Sequence, residues 1–267
     1  MSTVRSADGT QLAYSQVGSG PAVILIDGAT GFRAFNQTSA QIAELLSGSF
    51  TVYTYDRRGR GESGWNDAST NPAEDEIADL AAMIGAAGGS AALWGISSGG
   101  ILALEAARAG LPVTKIAVYE PPFIVSDIRP PLPTDYVEQL QAAIAGGRRD
   151  DAAKIFLTKA VGIPEEYLGG LTESPFWPTM LEVAHTIAND GAIVGKTMSG
   201  DPAALDRYAE VANETLVAYG DQTDASIIEG DQLLAKVMPN ATLEVLPGQT
   251  HDVAADAIAP LLLRFFS

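Results

Sequence analysis

The sequence predicts an α/β protein: a mostly parallel central sheet, helices on both faces, and a helical segment inserted late in the chain. Three observations predict it. Short β-rich apolar runs alternate with longer helical stretches through most of the 267 residues. Runs such as Ala22-Val23-Ile24-Leu25-Ile26 are continuously apolar, as in strands covered on both sides. The rhythm breaks once, over residues 123–204, where helical patterns follow one another without a strong strand.

In order, residues 10–17 alternate well enough for an early strand, and 22–26 follow as a buried one. Residues 37–47 have helical spacing, and Phe50-Thr51-Val52-Tyr53-Thr54-Tyr55 is the next strand. Residues 73–87 predict a helix, the apolar run 91–94 a strand and 101–108 a helix. Further strands are expected at 115–119, 216–219 and 243–246, with helices at 226–237 and 253–266. The interruption opens on Arg129-Pro130-Pro131-Leu132-Pro133, and its helical stretches lie near 134–146, 150–160 and 176–189. The expected division is therefore a core of residues 1–122 and 205–267 with a helical lid over 123–204.

The composition narrows the function. With 46% hydrophobic and 18% charged residues, the chain has ample material for one large core. It has no cysteine, which excludes disulfides, thiolate metal sites and a cysteine nucleophile. A net charge of −17, spread along the chain, disfavours nucleic acid and anionic membranes as partners. The N-terminal residues Met1 to Asp8 contain no apolar signal core, and no apolar run is long enough to span a bilayer, so a cytoplasmic location is expected. No metal, nucleotide or other cofactor site stands out, and nothing speaks to oligomeric state.

One segment carries chemistry. Gly95, Ser97 and Gly99 form G-x-S-x-G between a predicted strand and a predicted helix. In that context the serine sits on a strained turn, and its hydroxyl emerges at the carboxyl edge of the sheet beside a helix N-terminus. A bare tight turn with a capping serine is the plainer alternative. A serine nucleophile needs a base. Of two histidines, His251 follows the last predicted strand and so reaches the same edge, while His185 lies mid-helix in the insertion. A carboxylate must then orient the imidazole. Glu120, closing the strand after the nucleophile helix and followed by two prolines, is the favoured candidate; Asp224, in Gly220-Asp221-Gln222-Thr223-Asp224, is the alternative.

These residues together resemble the α/β-hydrolase superfamily over essentially the whole chain. Asp56-Arg57-Arg58-Gly59-Arg60-Gly61-Glu62-Ser63 is similar to the D-x-R-G-x-G-x-S turn common in it. Gly59, Gly61 and Gly64 also match G-x-G-x-x-G, but Trp65-Asn66-Asp67 follows where a dinucleotide fold needs an apolar helix. Three short motifs resemble zearalenone lactonases: Ile26-Asp27-Gly28, Trp94-Gly95-Ile96-Ser97-Ser98-Gly99, and Glu120 with Pro122. That resemblance implies a triad acid on the strand after the nucleophile, at Glu120. The ordinary superfamily position, three beyond the glycine of the later strand, falls on Thr223, one residue short of Asp224.

The expected chemistry is hydrolysis of a small apolar ester or lactone. Ser97 attacks, His251 relays the proton, Glu120 orients it, and the N–H groups of Ser98 and of Gly28 or Ala29 hold the oxyanion. Asp27 is expected to bond its own loop or a substrate hydroxyl. Trp177, Met180 and His185, in a stripe with Phe176, are expected to line the pocket or to form the insertion's own core. Thioesterase, carbon–carbon hydrolase and perhydrolase activities fit the same residues, as does a non-catalytic ligand-binding protein on this fold.

Overall fold

The computed structural model describes residues 2–66 and 71–267; Met1 and Asp67, named above, lie outside them. Eight strands form one sheet among the described residues: β1 (Ser2–Arg5), β2 (Gln11–Gly18), β3 (Ala22–Ile26), β4 (Thr51–Tyr55), β5 (Ala91–Ile96), β6 (Val113–Tyr119), β7 (Thr215–Gly220) and β8 (Ala241–Leu246). Their order is β1-β2-β4-β3-β5-β6-β7-β8. β1 and β2 pair antiparallel with each other, as do β2 and β4; every later pairing is parallel.

The period of two explains the uninterrupted apolar strands. In β3, Ile24 and Ile26 enter one core layer while Val23 and Leu25 enter the other. The second layer is closed by α1 (Gln37–Leu46) and α10 (Ala255–Phe266), through Ile42, Leu46, Ile258 and Leu262. The first is closed by α2 (Pro72–Ala86), α3 (Ser98–Arg108) and α9 (Ala225–Val237), through Leu80, Met83, Leu102 and Leu234. β3 thus feeds a helix on one face and β5 a helix on the other. The crevice where such connections diverge, at the carboxyl ends of the strands, is where open α/β sheets bind ligands.

Between β6 and β7 the described chain forms helices and no strand: α4 (Tyr136–Ala145), α5 (Arg149–Ile155), a π turn (Phe156–Val161), α6 (Leu168–Thr172), α7 (Phe176–Val183) and α8 (Ile187–Val194), with short 3₁₀ turns between and after them. Tyr136, Leu140, Trp177 and Ile187 join the same apolar cluster as α2 and α3, so the insertion is packed continuously onto that face.

Three local features differ from expectation. β1 was not anticipated; its four residues are largely exposed and lack an apolar pattern, and pairing with β2 makes the strand. The stretch expected as one helix over 150–160 changes to π geometry at Phe156 and stops at Gly162, which has φ +86°. The stretch over 176–189 breaks at Ala184–Thr186, where the Thr186 hydroxyl donates to the carbonyl of Val183 at 2.8 Å, a local bond that competes with the helix.

Candidate active site

The turn after β5 is built by exclusion of side chains. Ser97 has φ +55° and ψ −129°, a conformation non-glycine residues adopt only when their surroundings enforce it, at about 1–3 kcal/mol. A Cβ on Gly95 would lie 2.3 Å from the carbonyl oxygen of Gly99, and one on Gly99 would lie 2.3 Å from that of Ile26. Both glycines are therefore required for the chain to fold back so sharply. Ser97 N–H donates to the carbonyl of Tyr119 at 2.9 Å, fastening the turn to the end of β6. Across the crevice the loop after β3 comes so near that a Cβ on Gly28 would sit 3.0 Å from Ser97 Cβ.

Glu120 follows the last residue of β6 in a second positive-φ conformation, with φ +48°, and is fully buried. The bend aims its carboxylate toward the ends of β7 and β8. One oxygen, Oε1, accepts from Gly220 N–H at 2.9 Å. The other, Oε2, accepts from the Thr223 hydroxyl at 2.8 Å and lies 2.8 Å from His251 Nδ1. His251 is carried on the loop after β8, which the Tyr119 hydroxyl anchors by donating to the carbonyl of Thr250 at 2.7 Å. Its ring is 43% exposed, toward the cavity it shares with Ser97.

Asp224 is occupied differently. It is the N-cap of α9, accepting from Ser226 N–H at 2.9 Å and from the Ser226 hydroxyl at 2.5 Å. Those bonds, led by the hydroxyl, hold its carboxyl below the ordinary aspartate range. The position where the superfamily pattern would place an acid holds Thr223, and here it donates to the carboxylate that arrives from β6.

The cavity measures about 710 Å³ and is lined by Gly28, Ala29, Ser97, Ser98, Thr250 and His251 at its floor. Its walls are mostly apolar, with Ile96, Phe156, Phe176, Val194, Met198 and Ile227 among them. Ser98 opens α3, so its N–H has no partner within the helix. The backbone groups expected to hold an oxyanion thus border one space with Ser97.

The expected substrate contacts need correction. Asp27 does not reach the cavity; it is 4% exposed and bonds the Ser39 hydroxyl at 2.5 Å and Asn36 Nδ2 at 2.8 Å, bracing its own loop. Burial raises its pKa, and those two bonds with the charges of Arg60 and Arg57 offset this only in part. Trp177 and Met180 face the apolar core, and Trp177 Nε1 donates to Asp150 at 3.1 Å. The phase of α7 leaves Phe176 on the cavity side, with its ring 5.4 Å from that of Phe35. His185 packs edge-on against Trp65 at 5.0 Å, outside the cavity. Arg129, Asn36, Thr38 and Asp190, which no motif marked, line the cavity instead.

Among the described residues no cluster of three or more histidines and carboxylates could hold a metal ion, and no helix is long and apolar enough to cross a membrane.

The sequence profile described as the Alpha/beta hydrolase family matches residues 23–261. An alpha/beta hydrolase from Sphaerobacter thermophilus is 46% identical, over 100% of both chains, with a TM-score of 0.89. An esterase from Thermogutta terrifontis (20% identity, 100% of this chain and 99% of that one, TM-score 0.69) is similar in fold. So is the enol-lactonase from Burkholderia xenovorans (20% identity, 98% and 99% coverage, TM-score 0.67).

Proposed function

The chain belongs to the alpha/beta hydrolase family, and on that basis we propose that it is a serine hydrolase acting on a small, largely apolar ester or lactone. The observation that carries this reading is the 2.8 Å contact between Glu120 and His251 at the rim of the cavity that Ser97 enters.

In the proposed cycle Ser97 Oγ attacks the substrate carbonyl while His251 Nε2 accepts its proton. The carbonyl oxygen becomes an anion facing Ser98 N–H and an N–H of the Gly28–Ala29 segment, donors already held in place as charge develops. His251, now an imidazolium bonded through Nδ1 to Glu120, returns the proton to the departing alkoxide. The C–O bond breaks, and an acyl group remains on Ser97. Water then attacks that acyl group with His251 again as base, releasing the acid and restoring the serine. In a lactone the freed alcohol stays tethered to the acyl group, so nothing departs until this second step releases a single hydroxy acid. The insertion, 123–204, acts as the lid that supplies the apolar wall.

The cavity volume is within the ~300–1,000 Å³ usual for small-molecule sites, and its apolar walls suit a hydrophobic ester. The resemblance of Ile26-Asp27-Gly28, the Ser97 turn and Glu120 to zearalenone lactonases makes a resorcylic macrolactone the substrate to try first. The test is hydrolysis of zearalenone and of p-nitrophenyl butyrate, with Ser97→Ala as the blank. Turnover of both that vanishes in the variant supports the full reading. Turnover of the simple ester alone keeps the serine hydrolase and removes the macrolactone. Turnover by Ser97→Ala at the wild-type rate overturns the mechanism.

A further inference from the structure

The motif Asp56-Arg57-Arg58-Gly59-Arg60-Gly61-Glu62-Ser63 has so far no part in the chemistry, yet Arg57, Arg58 and Arg60 are all buried to within 1% exposure. Burying guanidinium groups is costly unless each is paired and hydrogen-bonded. Two of the three also bond the loop after β3. Arg57 Nη1 donates to the carbonyl of Asp27 at 3.2 Å. Arg60 Nη1 donates to the carbonyls of Gly28 at 2.7 Å and Gly31 at 3.3 Å.

A trans peptide points its C=O and N–H in opposite directions, and the described chain has no cis bond. Holding the Asp27 carbonyl toward Arg57 therefore turns Gly28 N–H away from the arginines. Holding the Gly28 carbonyl toward Arg60 does the same for Ala29 N–H. The arginines are buried behind the loop, and Gly28 and Ala29 line the cavity in front of it.

What holds the arginines comes from two distant places. Glu76 of α2 grips Arg57 through both oxygens, at 2.7 and 2.8 Å. Asp190 of α8, in the insertion, takes both arginines at once. Its Oδ1 accepts from Arg57 Nη1 and from the Ser98 hydroxyl, each at 2.7 Å, and its Oδ2 accepts from Arg60 Nη2 at 2.5 Å. Burial pushes the Asp190 carboxyl upward, but the charges of Arg57 and Arg60 outweigh it and hold the group below the ordinary aspartate range. One carboxylate thereby ties the first residue of α3 to both of the side chains that orient the opposing loop.

We propose that Asp190, Arg57 and Arg60 are positioning residues for the oxyanion site: Asp190 aligns the two arginines, and they set the direction of the Gly28 and Ala29 N–H groups. This rests on the reading of Gly28, Ala29 and Ser98 as the oxyanion donors. It makes the insertion part of the catalytic frame, since Asp190 reaches the arginines only when α8 is docked on α2 and α3.

The test compares Asp190→Asn and Arg60→Lys with Arg58→Lys. Arg58 is equally buried but bonds Asp79 at 2.6 and 2.7 Å and never touches the loop. Its variant reports the cost of disturbing the motif away from the oxyanion donors. Arg60→Lys keeps the charge and carries the test if Asp190→Asn fails to fold; a lysine has no planar fork to span Gly28 and Asp190. The readouts are kcat and KM on p-nitrophenyl butyrate, the rate at which a fluorophosphonate labels Ser97, and Tm. Expected is a fall in kcat and in labelling of about 10–100-fold for both test variants, with KM within about threefold, as for loss of aligned oxyanion donors. Arg58→Lys is expected to lower Tm while kcat stays within about twofold. A kcat that falls only in step with Tm in all three variants, or a KM that rises as much as kcat falls, overturns the proposal. If the fluorophosphonate labels wild type and Ser97→Ala alike, the serine hydrolase reading itself fails and this inference falls with it.

Discussion

Glu120 Oε2 and His251 Nδ1 lie 2.8 Å apart although 131 positions separate them in sequence, and the carboxylate is wholly buried while the ring is 43% exposed. That asymmetry suits an orienting role. The acid is fixed by Gly220 and Thr223, and the imidazole borders the cavity. Replacing Glu120 by Gln keeps the shape but removes the charge that stabilises the imidazolium. The expected loss in kcat on p-nitrophenyl butyrate is about 10²–10⁴-fold. Asp224→Ala should change kcat by less than about threefold and cost about 1 kcal/mol of stability through the lost cap. Steady-state kinetics of the two variants decide between the acids, and the opposite ranking would reassign the role to Asp224.

Thr223 offers a finer measurement. Its hydroxyl donates to the oxygen that faces His251. Thr223→Val removes a hydrogen bond to a charged group, worth roughly 1.5–3 kcal/mol, without changing the side chain's size much. A reduction in kcat of about 3–30-fold with unchanged KM is expected. An unaltered kcat would mean that the Gly220 N–H alone holds the carboxylate.

Gly28→Ala probes the opposing loop. The added methyl would meet Ser97 Cβ at 3.0 Å and the carbonyl oxygen of Ile96 at 3.2 Å, closer than such contacts normally allow. The loop must retreat by a few tenths of an ångström, which moves its N–H groups away from the proposed oxyanion position. A kcat at least about tenfold lower, with nearly unchanged Tm, is expected. Full activity would place the oxyanion elsewhere.

Neighbours on α7 should part company. Trp177→Ala empties a buried position and should cost about 3–5 kcal/mol in denaturant unfolding while leaving KM alone. Phe176→Ala removes a cavity wall and should raise KM severalfold with a smaller stability loss. Equal KM effects would put both rings against the substrate.

Asp231 gives a pH-dependent prediction. It is fully buried, both carboxyl oxygens lack a hydrogen-bond partner, and burial followed by the nearby Glu120 pushes its pKa well above the ordinary value. The folded chain therefore keeps a proton that the unfolded chain releases above pH ~4. Stability from this group is intact below that pH and declines as pH rises through the window up to the folded pKa. Asp231→Asn has no proton to lose, so its Tm should exceed wild type at pH 8 and converge with it near pH ~4. Thermal melts across that range check the sign, and a difference that grows toward acid pH would overturn it.

Much of this was legible in the chain. Ser97 was marked by two glycines whose need is steric and local, and Glu120 by its place just after a strand that lies beside the one leading into Ser97. The order of strands and helices followed from apolar periodicity, which each segment carries by itself. Other features escaped because they depend on where separate elements come to rest. The rotation of α7 sends Trp177 and Met180 inward and Phe176 to the cavity, a difference that helical spacing does not contain. Asp27 bonds Ser39 because α1 begins beneath it. Asp190 lies 133 residues from Arg57 in a segment without a motif, and only the docking of the insertion gives that carboxylate its partners. The layered fold and the strained turn at Ser97 follow from periodicity and local sterics that each segment carries in its own residues. Which carboxylate meets His251, which side chains face the cavity and what holds the loop after β3 are settled only in the assembled structure. Those outcomes depend on contacts of a few ångströms between segments a hundred residues apart.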